Sequence, residues 1–79
     1  MEAAGTPVLG SPVNVAANGG RGLATVACPA GTAPTGGGGQ TSAFEIFFTD
    51  SFASGNTWVI RGTNTGSTVQ TLRAFAVCQ

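Results

Sequence analysis

Few side chains in this sequence are of the types that perform catalysis. The 79 residues include no His and no Tyr, all three basic residues are Arg, and the acidic residues in the body of the chain are Glu45 and Asp50. On one strand these two carboxylates would point to opposite faces, whereas a carboxylate pair that works as acid and base must converge. Ser and Thr hydroxyls need a neighbouring base to become nucleophiles. These residues predict a protein that is not an enzyme.

A glycine block is the second candidate for chemistry. Residues 36–39 are all Gly, and Gln40 follows them. A phosphate-binding loop requires a Lys where Gln40 stands and a helical pattern after it, and the sequence has neither. Two Cys without His supply too few ligands for a metal ion. We therefore predict no cofactor and no metal, and expect the glycines to let two backbones approach closely, in a strand or in a flexible loop.

The two cysteines, Cys28 and Cys78, allow one disulfide. Closing a loop of about 50 residues would stabilise the fold by about 4 kcal/mol in the chain-entropy model. Two buried free thiols are the alternative. No neighbouring base or cation would activate a thiolate, so a redox site is not expected. A disulfide indicates an oxidising setting, such as a secreted protein or a virion surface.

Charged residues make up 8% of the chain, and the formal net charge is zero. The sequence therefore lacks the basic footprint of a nucleic-acid-binding protein. It also lacks a run of about 20 apolar residues, so we predict no membrane span. A neutral chain has little self-repulsion, which favours association.

The hydrophobic pattern predicts strands and no helix. The strongest strand is expected at residues 43–52, and others at 21–28, 57–64 and 68–78. Such spacing is typical of an all-β fold, here a small antiparallel β-sandwich or barrel of five to six strands with one disulfide. Residues 1–20, interrupted by Gly10 and Pro12, are interpreted as an N-terminal extended arm or edge strand. Residues 21–79 are interpreted as the disulfide-closed β-domain.

Four side chains are candidates for contact with a partner or a ligand. Trp58 alternates with Ile60, which favours a core position, but an exposed Trp58 would stack on a sugar or anchor an interface. Phe47 and Phe48 are neighbours on one strand and point to opposite faces, so both faces are partly apolar. Such strands need a layer on each side, which a short chain supplies only with neighbours.

The remaining two candidates, Arg61 and Arg73, are expected on the neighbouring strands of a hairpin that turns at residues 64–67. There they would pair with a carboxylate or with another subunit.

Five segments together resemble a small β-domain of known type: Cys28-Pro29-Ala30-Gly31-Thr32, Thr35-Gly36-Gly37-Gly38, Trp58, Asn64-Thr65-Gly66 and Ala74-Phe75-Ala76-Val77-Cys78. The chain is similar, over residues 26–78, to disulfide-linked modules of actinobacterial secreted proteins and of actinophage structural proteins. The resemblance implies a disulfide-linked β-fold in an extracellular or particle-surface location, and it implies no activity.

The N-terminus has neither the basic region nor the apolar region of a secretion signal, which favours the virion surface over secretion. We therefore expect a structural module that associates with itself, with a trimer as one closed form, and that decorates a particle such as a phage capsid or tail. The N-terminal arm would lie on a neighbouring copy or add a strand to its sheet. The alternative is a secreted module that binds cell-wall glycan, with Trp58 as the platform.

Overall fold

The computed structural model describes residues 6–79 and consists of strands joined by turns. The seven strands are β1 (Thr6–Leu9), β2 (Val13–Val15), β3 (Gly20–Ala27), β4 (Pro34–Thr41), β5 (Ile46–Ser54), β6 (Thr57–Asn64) and β7 (Gln70–Cys78). Every pairing among them is antiparallel. The prediction of an all-β, antiparallel fold is confirmed. Residues 6–79 contain no helix that is long and apolar enough to cross a membrane.

The strands form two sheets. In sheet A the central strand β7 pairs with β4 on one side and with β1 and β2, end to end, on the other. In sheet B the central strand β6 lies between β3 and β5. Inward-facing side chains of both sheets form one core, to which Leu72 of sheet A and Ile60 of sheet B contribute fully buried side chains.

The strand count exceeds the predicted five to six because the N-terminal segment forms two short strands. Pro12 has no N–H to donate and so interrupts the ladder between β1 and β2. The connection between β1 and β2 remains hydrogen-bonded to β7, because the Gly10 N–H donates to the Ala74 carbonyl at 2.8 Å. A Cβ at Gly10 would lie 2.7 Å from the Thr25 carbonyl oxygen, so only glycine allows this approach to β3.

Residues 6–15 are therefore an edge of the chain's own sheet. Within the chain, Val13 pairs with Leu72 and Val15 is fully buried in the core, while contact of this segment with a neighbouring copy stays a prediction. Residues 1–5 of the predicted arm lie outside the described residues.

The glycine block forms strand β4, one of the two predicted forms. Its inward positions carry no side chain where large side chains of sheet B need the space. A Cβ at Gly37 would lie 2.5 Å from Cδ2 of Trp58, and one at Gly39 would lie 2.7 Å from Cζ of Phe48. The glycines thus allow close approach of β4 to sheet B.

Strands β6 and β7 do not form the predicted hairpin. Strand β6 is paired on both sides, by β3 and β5, so no edge of it is left for β7. The segment between them instead crosses from sheet B to sheet A. It is fixed by Asn64, a fully buried polar residue whose Nδ2 donates to the Val15 and Thr68 carbonyls at 3.1 and 2.8 Å.

The predicted disulfide is confirmed. Cys28 directly follows β3 and Cys78 ends β7, with their Cα atoms 5.7 Å apart. Both cysteines are buried. The bond therefore joins one strand of each sheet at one end of the core.

Candidate interaction surface

The acidic residues and cysteines within residues 6–79 do not form a cluster. Within residues 6–79 no three His, Cys, Asp or Glu side chains lie close enough to hold a metal ion. Glu45 lies in a turn before β5, not on the strand, while Asp50 lies within β5. The two carboxylates are therefore positioned by different elements. The remaining candidate is a surface that binds a partner.

Strand β5 is the most exposed strand of the fold. It is an edge of sheet B, so only β6 pairs with it, and every residue after Ile46 is exposed. Its outward-facing Phe47 and Phe52 are 61% and 40% exposed, and its inward-facing Phe48 is 45% exposed beside the glycine strand β4. Phe44, in the preceding turn, is 97% exposed. We call these four residues the phenylalanine edge.

The exposure has a simple cause in the packing. The strand of sheet A nearest to β5 is β4, whose glycines have no side chains with which to cover a neighbour. The Cζ atom of Phe48 reaches the backbone at Gly39, yet the side chain stays 45% exposed. Phe47 and Phe52 lie opposite Thr63 and Val59 on the outer face of sheet B, which no described element covers.

A bulge at Thr49 sets the direction of the following side chain. The register with β6 shifts between Phe48 and Asp50, so that Asp50 lies opposite Arg61. Their side chains form an exposed ion pair with 3.6 Å between Nη1 and Oδ2. The Thr49 hydroxyl donates to the Arg61 carbonyl at 3.4 Å. The bulge therefore places one ion pair on the outer face of sheet B, among apolar side chains.

An open concavity of about 520 Å³ lies on this face. Its lining includes Arg21 and Leu23 from β3, Thr49 and Asp50 from β5, and Arg61 and Thr63 from β6. Arg21 lies opposite Thr63, and Leu23 opposite Arg61, in the ladder between β3 and β6. We call this feature the arginine concavity.

The four predicted contact residues lie in different places. Phe47 belongs to the phenylalanine edge and Arg61 to the arginine concavity, both on sheet B. Arg73 lies on β7 of the other sheet, opposite Gln40, so Arg61 and Arg73 do not share a hairpin as predicted. Trp58 is half-buried against the core, as its alternation with Ile60 favoured.

Trp58 also has specific partners within the fold. Its indole lies against the backbone of Gly37, and its Nε1 donates to the Ser51 hydroxyl at 3.2 Å. One face of the ring is thus occupied inside the molecule.

Sequence reasoning did not single out several residues of this surface. Arg21, Leu23 and Asp50 converge only because β3, β6 and β5 are neighbours, an order that strand patterns do not reveal. The sequence did contain an indication for Phe52, because three phenylalanines fall within residues 47–52 of one predicted strand. Phe44 was expected on that strand and lies before it.

Comparison with protein-family models, with curated proteins and with solved structures found no significant match.

Proposed function

We propose that this chain is a non-enzymatic structural module that associates with copies of itself and decorates the surface of a larger particle, such as a phage capsid or tail. Its partners are other copies, with a trimer as one closed form, and the protein of the particle. We also assign the two facing sheets to a small β-sandwich and not to a barrel, since no ladder joins sheet A to sheet B among residues 6–79.

The phenylalanine edge is the observation that carries this proposal. Four of the five phenylalanines are exposed, and all four lie within residues 44–52. Several large apolar side chains exposed along one strand and its preceding turn are typical of protein interaction sites. An exposed strand edge also offers unpaired N–H and C=O groups to another chain, and natural proteins usually protect such edges with charges or proline. Strand β5 has one charged residue, Asp50, which is paired with Arg61.

The net charge supports association over a monomeric state, and the disulfide bears on where the protein is located. The net charge of zero opposes the approach of copies only weakly. A disulfide is typical of an oxidising environment, such as a virion surface or, as the alternative, the extracellular space of a secreted protein.

The position of Trp58 favours the structural module over the glycan-binding alternative. A sugar platform requires an accessible aromatic face, whereas Trp58 is half-buried and lies against Gly37.

The test is the mass of the protein in solution, measured by native mass spectrometry and light scattering over a range of concentrations. We expect wild type to form a defined oligomer and the double variant Phe47→Ser with Phe52→Ser to be a monomer. Leu9→Ser is the control, because Leu9 is 57% exposed, close to the 61% of Phe47, but lies on sheet A. A wild type that stays monomeric at millimolar concentration, or a double variant that associates like wild type, would contradict the proposal.

A further inference from the structure

The turn before β5 displays an apolar and an acidic side chain together. Phe44 is 97% exposed, and Glu45 beside it is exposed as well. The turn is nevertheless held firmly. The Glu45 carbonyl accepts hydrogen bonds from the N–H and the hydroxyl of Thr65, at 2.9 and 2.8 Å. Phe44 is therefore presented to solvent by an ordered turn.

Hydrogen bonds also fix the other side of this turn. The Thr41 hydroxyl donates to the Ala43 carbonyl at 2.7 Å, and the Ser42 hydroxyl donates to Oε1 of Gln70 at 2.7 Å. The Ser42 N–H donates to the Thr71 carbonyl at 3.0 Å. A side chain held in place before binding loses less entropy on association than one on a mobile loop. We call residues 42–45 the Phe44 turn.

The arginine concavity has the complementary chemistry. Leu23, which is 52% exposed, supplies an apolar surface within it. Arg21 and Arg61 provide two positive charges and Asp50 one negative charge, so the lining has a net charge of +1.

Within residues 6–79 the single ion pair is Arg61 with Asp50. Arg21 and Glu45 therefore have no ion-pair partner among the described residues. The one other described Arg, Arg73, lies on sheet A.

We infer that the Phe44 turn of one copy inserts into the arginine concavity of a second copy. In this contact Phe44 packs on Leu23, and the Glu45 carboxylate pairs with Arg21. The apolar pair and the charged pair lie side by side, so together they fix the orientation of the two copies relative to each other. This inference rests on the proposed self-association and names one contact within its interface.

The contact has a consequence for symmetry. The turn and the concavity are different surfaces of one chain, so each copy offers one of each. Such a head-to-tail contact closes into a ring when the rotation per copy allows it and otherwise forms an open filament. It therefore accounts for a ring such as the trimer in the proposed function, and two copies that insert their turns reciprocally would form a two-fold dimer.

Charge reversal tests the contact. In Glu45→Arg the new arginine of one copy faces Arg21 of the next copy. In Arg21→Glu the new glutamate faces Glu45 of the neighbouring copy. We expect each single variant to weaken the self-association constant by about tenfold or more, because like charges then face each other. The double variant restores opposite charges and should return to within about threefold of wild type, as coupled sites do in a double-mutant cycle.

Two controls accompany this cycle. Arg73→Glu makes the same charge change as Arg21→Glu, but on sheet A, and should associate like wild type. Phe44→Ser removes the apolar half of the contact and should weaken association without lowering the stability of the monomer, because Phe44 is almost fully exposed. Circular dichroism of every variant verifies the fold.

The outcomes separate the two hypotheses. If wild type forms oligomers and the single charge reversals associate equally well, or the double variant is no better than the singles, the contact is wrong and the proposed self-association stands. If wild type is monomeric throughout, both fail.

Discussion

At the scale of single residues, Asn64 determines how the chain passes from one sheet to the other. Its Nδ2 donates to carbonyls of β2 and of the connection to β7, and its Oδ1 accepts the Gly66 N–H at 2.9 Å. The side chain is fully buried, and all its polar atoms have partners. A buried polar group of this kind stabilises a fold only while every partner is satisfied.

Replacing this side chain therefore tests its role. We expect Asn64→Ala to lower the free energy of unfolding by about 3 kcal/mol, since buried carbonyl and N–H groups lose their partners. Asn56→Ala is the matched control, because the side chain of Asn56 is exposed, donating to the Cys28 carbonyl at 3.2 Å and accepting from the Thr57 hydroxyl at 3.4 Å. Its cost should stay below about 1 kcal/mol. Urea denaturation measures both, and equal costs would contradict this role for Asn64.

At the scale of elements, the glycine strand β4 shapes the surface of the molecule. Because its inward positions lack side chains, Trp58 and Phe48 approach its backbone closely. The same lack of side chains leaves β5 uncovered and the phenylalanine edge exposed. One stretch of sequence thus provides both tight packing at Trp58 and an open apolar edge.

Substitutions at two adjacent glycines of this strand distinguish the effect of packing on stability from that of backbone flexibility. Gly37→Ala would place Cβ 2.5 Å from the Trp58 ring and 2.6 Å from the Phe75 carbonyl oxygen, and should cost about 2 kcal/mol of stability through overpacking. Gly36→Ala meets open space and should be neutral or stabilising by up to about 1 kcal/mol. Thermal unfolding followed by Trp58 fluorescence compares the two. A Gly37 variant as stable as the Gly36 variant would refute the contact.

At the scale of the whole molecule, the disulfide holds the two sheets together. The bond spans 50 positions in sequence and joins the end of β3 to the end of β7. A chain of this length buries only about 60% of the surface that its unfolded form exposes, so its core alone gives marginal stability. The disulfide lowers the entropy of the unfolded chain, and self-association would add burial of the phenylalanine edge.

Removing the disulfide should reveal this dependence. We expect the double variant Cys28→Ala with Cys78→Ala to lose about 4 kcal/mol of stability and its Tm to fall by about 15 °C or more. Wild type treated with a reducing agent should approach the same Tm, whereas the double variant should not respond to the reagent. A wild-type Tm that is the same after the bond is fully reduced would show that the disulfide does not stabilise the fold.

Strand content and the disulfide followed from the sequence, because both depend on local or compositional properties. The predicted strand at residues 57–64 coincides with β6, and burial follows the period of two in β7. Two cysteines permit one pairing, so the bond between Cys28 and Cys78 needed no knowledge of topology.

The neighbours of each strand were decided only by tertiary structure. The hairpin expected at residues 64–67 is a crossing between sheets, because β3 and β5 already occupy both edges of β6. Residues 6–15 pair with β7, which follows them by more than 50 positions. The arginine concavity exists because β6, which pairs with the consecutive strand β5, also pairs with β3, from which it is distant in sequence. Side-chain patterns record which face of a strand is buried, whereas the choice of partner strand depends on long-range packing that local sequence does not encode.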